Sequence, residues 1–219
     1  MISEWEALTL KQVLRNIMLR DGNAGADGKY LVRSLYFDDV YNTAYNDKLA
    51  GVQIRKKYRI RTYGNDRQNA VIKAECKFKQ DAYIAKTSAE LSTEGFYRIL
   101  NGSYDFLLKE NHELLHDFYT QLSGGLRPRV IVDYDREAYV MREGNVRVTF
   151  DHAVRSGSNT YDILSNDVWP IPVFEPDQLV LEVKYDEFIP NVVRNILRLD
   201  ALEEIAVSKF VLCRMKQFA

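Results

Sequence analysis

The sequence predicts an α+β fold of antiparallel strands flanked by helices, and three observations carry that reading. Charged and apolar residues alternate with period two in segment after segment. In 55–61, Arg55, Lys57, Arg59 and Arg61 fall on one face, and in 71–79, Lys73, Glu75, Lys77 and Lys79 oppose Ile72, Ala74, Cys76 and Phe78. Polar turn residues, Gly64, Asn65 and Asp66, join those two runs as a hairpin. Stretches with apolar residues at helical spacing separate the strand groups.

In chain order, residues 4–19 place Trp5, Leu8, Val13, Leu14 and Met18 near helical spacing, and the run from Asp21 to Gly28 ends that helix in a mobile loop. Residues 30–37 read as a strand, followed by the 55–62 and 71–78 hairpin. Helices are expected at 88–100, with Ser88 as cap, and at 104–122. Gly124, Gly125 and Pro128 lead into strands at 130–139 and 145–151, where Val146, Val148 and Phe150 alternate with Arg147, Thr149 and Asp151. After a loop at 156–172, a strand at 180–185 sets Glu182 and Lys184 against Leu181, Val183 and Tyr185. Pro190 opens a helix through about Leu199, and 208–215 fits no single class. No repeat or linker interrupts the chain, so one domain spanning 1–219 is expected.

The 219 residues are 46% hydrophobic, ample for a core, and carry 30 Lys+Arg against 31 Asp+Glu. A balanced chain that gathers cations on sheet faces points to a polyanion ligand. Like charges opposite each other on neighbouring strands cost roughly 0.2–1 kcal/mol per pair. An uncompensated basic face therefore implies bound anions, unless each charged face is simply the solvated side of its strand. Neutral overall charge argues against nucleic acid. No apolar run approaches the ~20 residues of a membrane span, and no signal segment opens the chain, so a cytoplasmic location is expected. Cys76 and Cys213 make neither a disulfide framework nor a thiolate cluster.

His112-Glu113-Leu114-Leu115-His116 matches the zinc-protease pattern of two histidines one helical turn apart with a glutamate between them, which makes a zinc metalloprotease a remote alternative. That chemistry needs a third ligand, for which Glu137 is the nearest candidate; the competing reading is an amphipathic helix burying Leu114, Leu115 and Phe118. No P-loop, dinucleotide fingerprint or serine elbow is present, so side chains would have to hold a phosphate ligand. Arginine suits that task through its bidentate fork, and lysine adds point charge.

Tyr30–Asp38, Lys57–Tyr63, Glu75-Cys76-Lys77, Tyr134–Tyr139, Val146–Asp151, Leu181–Lys184 and Ser208-Lys209-Phe210 occur in an order that resembles the VTC-type polyphosphate polymerase domain of the triphosphate tunnel metalloenzymes, over nearly the whole chain. The resemblance implies an antiparallel β-barrel whose basic lumen grips a triphosphate or polyphosphate, with Mn²⁺ or Mg²⁺ held by acidic residues. Charged faces would then point into the tunnel. Position by position, the resemblance assigns Arg59, Arg61, Lys77, Arg136, Arg147, Lys184 and Lys209 to anion contacts and catalysis, and Glu182 to the metal. Lys86 is also assigned to phosphate binding; Lys57, Lys73 and Glu75 face the same way and are either phosphate-binding residues or supports of the lumen, while Arg33 and Asp151 are expected to be structural.

Family members begin with a strand bearing a Glu-x-Lys-Tyr-like pattern, whereas Met1-Ile2-Ser3-Glu4 runs directly into the first helix, so that strand is expected to be absent. The activity implied is transfer of the γ-phosphoryl of ATP to polyphosphate. An inorganic triphosphatase at the same site and a non-catalytic polyphosphate-binding module are the alternatives. A membrane-protein partner that receives the product is compatible with this reading, and the sequence sets no oligomeric state.

Overall fold

The computed structural model describes the chain except residues 65, 67–69, 82, 199–204 and 219; Asn65 of the expected turn and Leu199 of the expected helix fall outside the described residues. The chain divides into two compact units, each assembled from three segments: 1–31, 134–154 and 172–207 form the first, and 32–133, 155–171 and 208–219 the second. The strands are β1 (Ile2–Ser3), β2 (Leu19–Arg20), β3 (Tyr30–Asp38), β4 (Ile54–Tyr63), β5 (Ile72–Gln80), β6 (Tyr83–Leu91), β7 (Arg127–Met141), β8 (Val146–Gly157), β9 (Pro170–Pro172) and β10 (Gln178–Lys184). The helices are α1 (Glu4–Leu14), α2 (Thr43–Leu49), α3 (Thr93–Leu100), α4 (Glu113–Ser123), α5 (Asn191–Leu197) and α6 (Lys209–Phe218). The α+β class and antiparallel pairing are as expected. The ladder is open, since β1 and β6 each pair on one side only among the described strands.

In the first unit, β1, β10, β8 and β7 lie in that order, and β2 pairs with β7. At the chain start only two residues are extended, Ile2 and Ser3, which pair with Leu179 and Gln178 and carry no Glu-x-Lys-Tyr-like pattern. β1 is short because Ser3 also caps α1, its hydroxyl accepting from the Glu6 amide while the Glu6 carboxylate accepts from the Ser3 amide. One side of this sheet, with Val148, Phe150, Leu179 and Tyr139, packs on Ala7 and Leu14 of α1 and Val193 and Leu197 of α5. The buried stripe of α1 differs from the expected one: Trp5, Leu8 and Val13 are exposed, because Ala7 and Leu14 are the residues that meet the sheet. Asp21, which opens the expected loop, is buried and its amide donates to the Ala138 carbonyl.

In the second unit, β3 to β6 form a consecutive antiparallel ladder. Leu35, Phe37, Tyr58, Ile60, Ile72, Ala74 and Ala89 share one face and pack on Phe96 and Ile99 of α3 and on Leu114, Leu115, Phe118 and Leu122 of α4. The alternation makes this arrangement obligatory, because every residue between these apolar positions is delivered to the opposite face. Two expected helices change. Residues 88–91 belong to β6, and α3 starts after Ser92, whose hydroxyl accepts from the Gly95 amide. The expected 104–122 helix is a 3₁₀ turn at Asp105–Lys109 followed by α4. Residues 209–218, unassigned from sequence, are helical.

Candidate anion-binding site

The strand register of the second unit lays out a cationic face row by row. Ser34, Arg61, Lys73 and Glu90 lie across β3 to β6, and Tyr36, Arg59, Glu75 and Ser88 form the next row. Lys57, Lys77 and Lys86 follow, and then Arg55 and Lys79. Six of the residues expected to bind phosphate, Arg59, Arg61, Lys57, Lys73, Lys77 and Lys86, thus share one face. Lysines oppose lysines from β4 through β6, and Arg61 opposes Lys73.

The face is not uncompensated, which corrects the expectation of a purely repulsive cluster. Glu75, only 2% exposed, sits at its centre. Arg59 Nε donates to Glu75 Oε2 at 2.7 Å, Arg59 Nη1 donates to the Tyr36 hydroxyl at 2.7 Å, and Lys86 Nζ donates to Glu75 Oε1 at 3.2 Å. Arg61 Nε donates to the Ser34 hydroxyl at 2.7 Å. Burial pushes the Glu75 carboxyl up, but Arg59, Arg61 and Lys86 outweigh it and hold it below the usual range. The Tyr36 phenol is likewise raised by burial and lowered further by Arg59, Arg61 and Lys209, ending below its ordinary value.

Lys57 is the electrostatic outlier. Burial, with Arg55, Lys48 and Lys77 close by, lowers its ammonium from 10.5 to about 7. Its Nζ meets the Ser208 hydroxyl at 3.4 Å and lies 5.3 Å from the centre of the Phe210 ring. Phe210 stacks on Tyr36 with ring centres 5.0 Å apart, so the start of α6, with Lys209, is anchored on the basic face.

The first unit holds the other expected residues. Arg136 grips Asp151 bidentately, Nε to Oδ1 at 2.6 Å and Nη2 to Oδ2 at 2.8 Å, and its Nη2 lies 3.5 Å from Glu182 Oε2. Burial opposes the Arg136 charge, but Tyr134, Asp151 and Glu182 overcome it and raise its pKa. Lys184 Nζ sits 3.1 Å from Glu182 Oε1, and Lys184 and Arg147 are cross-strand partners. Arg147 pairs with Asp21 and donates to the Tyr30 hydroxyl at 2.9 Å. Asp21, Tyr30, Ser34 and Tyr36 were not read from sequence as members of these clusters. Ser34 and Tyr36 alternate on β3 and could have been found; Asp21, in a Gly-rich run, carried no signal. Arg33 is structural as expected: its Nε donates to Asp133 at 2.7 Å and its Nη1 to the Ser165 carbonyl at 2.8 Å.

Among the described residues no three His, Cys, Asp or Glu side chains cluster to hold a metal ion. A hard divalent ion bound through phosphate needs only one or two carboxylates, and Glu182, about one-third exposed, fits that role. The zinc-like motif does not assemble. His112 is the cap residue of α4 with extended backbone, its Nδ1 accepting from the Leu114 amide at 3.2 Å, while His116 Nε2 donates to the Glu110 carbonyl at 2.7 Å. Glu137, the third ligand considered, is held by Lys11 at 3.1 Å and by the Tyr139 hydroxyl at 2.6 Å. No described helix is long and apolar enough to cross a membrane.

The family model described as VTC domain matches residues 3–218. No curated protein matches the chain. Among solved structures it is similar to a candidate adenylate cyclase from Bacillus halodurans, with 14% identity over 94% of this chain and 89% of that one and a TM-score of 0.53. It is also similar to the PH1819 protein of Pyrococcus horikoshii OT3, with 12% identity over 95% and 93% of the two chains and a TM-score of 0.50. At these identities the likeness is one of fold.

Proposed function

Because the chain belongs to the VTC domain family of triphosphate-tunnel phosphotransferases, we propose that it is a metal-dependent polyphosphate polymerase using ATP as phosphoryl donor. The observation that carries this reading is the face of β4 to β6, where Lys57, Lys77 and Lys86 oppose one another across adjacent strands beside Arg59 and Arg61. Placing like charges in register costs stability that a polyanion offsets.

In the proposed reaction a terminal oxygen of the polyphosphate forms a bond to the γ-phosphorus of ATP. The bond from that phosphorus to the β,γ-bridging oxygen breaks, and ADP leaves with the electron pair. No proton has to be moved, so the protein's contribution is alignment and charge neutralisation. Arg59 is pinned in place by Glu75 and Tyr36 and can hold phosphate oxygens in a fixed fork, while Arg61, Lys77, Lys73 and Lys86 supply charge alongside. Arg147, Lys184 and Lys209 are assigned anion contacts, and Arg136, clamped on Asp151, positions Glu182. Glu182 would hold Mn²⁺ or Mg²⁺, which supplies charge neutralisation at the phosphate oxygens when bound.

A second reading, a non-catalytic polyphosphate-binding module, is favoured by one observation: Glu75, Asp151 and Glu182 are already ion-paired with Arg59, Lys86, Arg136 and Lys184. Incubation with ATP and Mn²⁺ separates the possibilities. Long-chain polyphosphate supports the polymerase, free phosphate alone indicates a triphosphatase, and triphosphate binding without turnover indicates the module.

A further inference from the structure

The ladder of the second unit ends on β6, and among the described strands β6 pairs with β5 alone. The N–H and C=O groups of alternate β6 residues therefore point away from the sheet with no strand to meet them. Proteins usually blunt such an edge by making it short, bulged or interrupted by Pro. β6 is none of these: its nine residues hold neither Pro nor Gly, and its register runs unbroken from Gln80↔Tyr83 to Ile72↔Leu91. Lys86, Thr87, Ser88 and Glu90 are exposed, as are Tyr83 and Ile84 near the hairpin tip. β1, β2 and β9, which among the described strands also pair on one side only, are two or three residues long. Charge is the one guard left on β6, and it comes in both signs.

Those two signs are spaced as an identical strand would need them. A strand that pairs antiparallel with its own copy does so about a twofold axis, so every contact between different residues occurs twice. Centring the axis on Ser88 sets Lys86 opposite Glu90 of the second copy, and Glu90 opposite its Lys86. Thr87 then meets Ala89, and Ala85 meets Leu91. Moving the centre to Thr87 sets Lys86 against Ser88 and Glu90 against Ile84, and moving it to Ala89 sets Lys86 against Ser92 and Ser88 against Glu90. Both shifts lose both opposite-charge pairs. Residues that face each other across neighbouring strands project from the same side of a sheet, so the basic faces of the two copies come to lie on one side.

We propose that β6 pairs antiparallel with β6 of a second copy of this chain, about a twofold axis at Ser88, joining the two β3 to β6 ladders into one continuous sheet. The pairing does not depend on the proposed polymerase activity. Its consequence for that face is length, because the rows of Lys57, Lys77 and Lys86 from the two copies adjoin and extend the surface along which a polyanion can lie.

Sedimentation equilibrium of the full chain over a range of concentrations should show reversible association from monomer to dimer and no larger species. Glu90→Lys brings a lysine against Lys86 twice, and Lys86→Glu brings a glutamate against Glu90 twice, so each variant alone should weaken the dimer by about tenfold or more. An equimolar mixture of the two variants re-forms both attractive pairs in the heterodimer, and it should associate about as tightly as the parent. Ser88→Cys reads the register independently and leaves the contact of Lys86 with Glu75 in place. Ser88 faces its own twin, so mild oxidation should link two chains of this variant. Ala85→Cys should not link, because its twins lie six positions apart along the strands, roughly 20 Å. The proposal is overturned if the parent stays monomeric at every concentration, if either charge variant leaves a dimer intact, if the two folded variants fail to associate when mixed, or if Ala85→Cys links as fast as Ser88→Cys.

Discussion

Replacing Glu75 by Gln separates the two jobs that the basic face performs. Glu75 is 2% exposed and accepts from Arg59, itself 17% exposed, and from Lys86, 53% exposed. Removing one member of a buried ion pair costs about 3–5 kcal/mol, and the half-open Lys86 puts this case at the lower end, about 3 kcal/mol. For a chain of this length that is a fall of roughly 6–12 °C in the ligand-free Tm. The triphosphate effect should run the other way. A carboxylate charge a few ångströms from the bound phosphates is gone, and Arg59 is released to them, so triphosphate should bind about tenfold tighter, a gain of about 1.4 kcal/mol. Differential scanning fluorimetry with and without triphosphate, in a chloride buffer of fixed ionic strength, reads both quantities. A variant that loses stability but shows the parent's triphosphate shift would mean that Arg59 and Glu75 are only a scaffold, and the site assignment fails. A variant as stable as the parent would refute the ion-pair reasoning instead.

Lys57, held near 7 against an ordinary 10.5, keeps its proton less well in the folded chain than in the unfolded one, so between those values the unfolded state binds the extra proton and stability rises with pH. Lys57→Met should abolish that slope in unfolding measurements from pH 6.5 to 10, and the parent's triphosphate affinity, relative to the variant's, should fall as pH rises through about 7; parallel pH profiles for the two proteins would disprove the shift. Asp151→Asn, at a fully buried carboxylate clamped by Arg136, should cost about 3–5 kcal/mol in chemical denaturation, and a loss under about 1 kcal/mol would show that the clamp is not structural. His112→Ala should lose the cap of α4, about 0.5–2 kcal/mol, and leave metal content unchanged by elemental analysis; stoichiometric zinc that disappears in the variant would restore the protease reading.

What the sequence made legible was set by period and direction, and what it hid was set by register. β4, β5, β8 and β10 are legible because apolar and charged residues alternate along them, and the face carrying Arg59, Arg61 and Lys77 follows at once, while β3 and β7 are legible as runs rich in Val, Ile, Leu and Tyr. β6 lies where the sequence suggests a helix start, because Ala85, Lys86, Ser88, Ala89 and Glu90 are weak strand formers that outweigh Tyr83, Ile84 and Thr87, and Ser88 competes with the true cap Ser92. α1 was found but its buried face was misjudged, since the most hydrophobic residue, Trp5, points to solvent while small Ala7 meets the sheet.

The charge balance of the site was the deepest omission, and its cause is the same. Alternation tells which side of a strand a residue takes but not which residue on the next strand it meets. Arg59 and Glu75 are 16 positions apart, Arg136 and Asp151 15, and Arg147 and Asp21 126, and only the register and packing bring each pair together. Once they do, the acids change the meaning of the cations. A face of lysines alone would hold its charges on flexible stems, and an incoming phosphate chain would have to order each of them on binding. Arg59 on Glu75 and Tyr36 in the second unit, and Arg136 on Asp151 in the first, are each ordered in advance as a fixed fork. On the basic face Glu75 weakens the field and strengthens the geometry, which is the balance the proposed phosphoryl transfer would need, because there alignment of the reacting oxygens counts as heavily as charge.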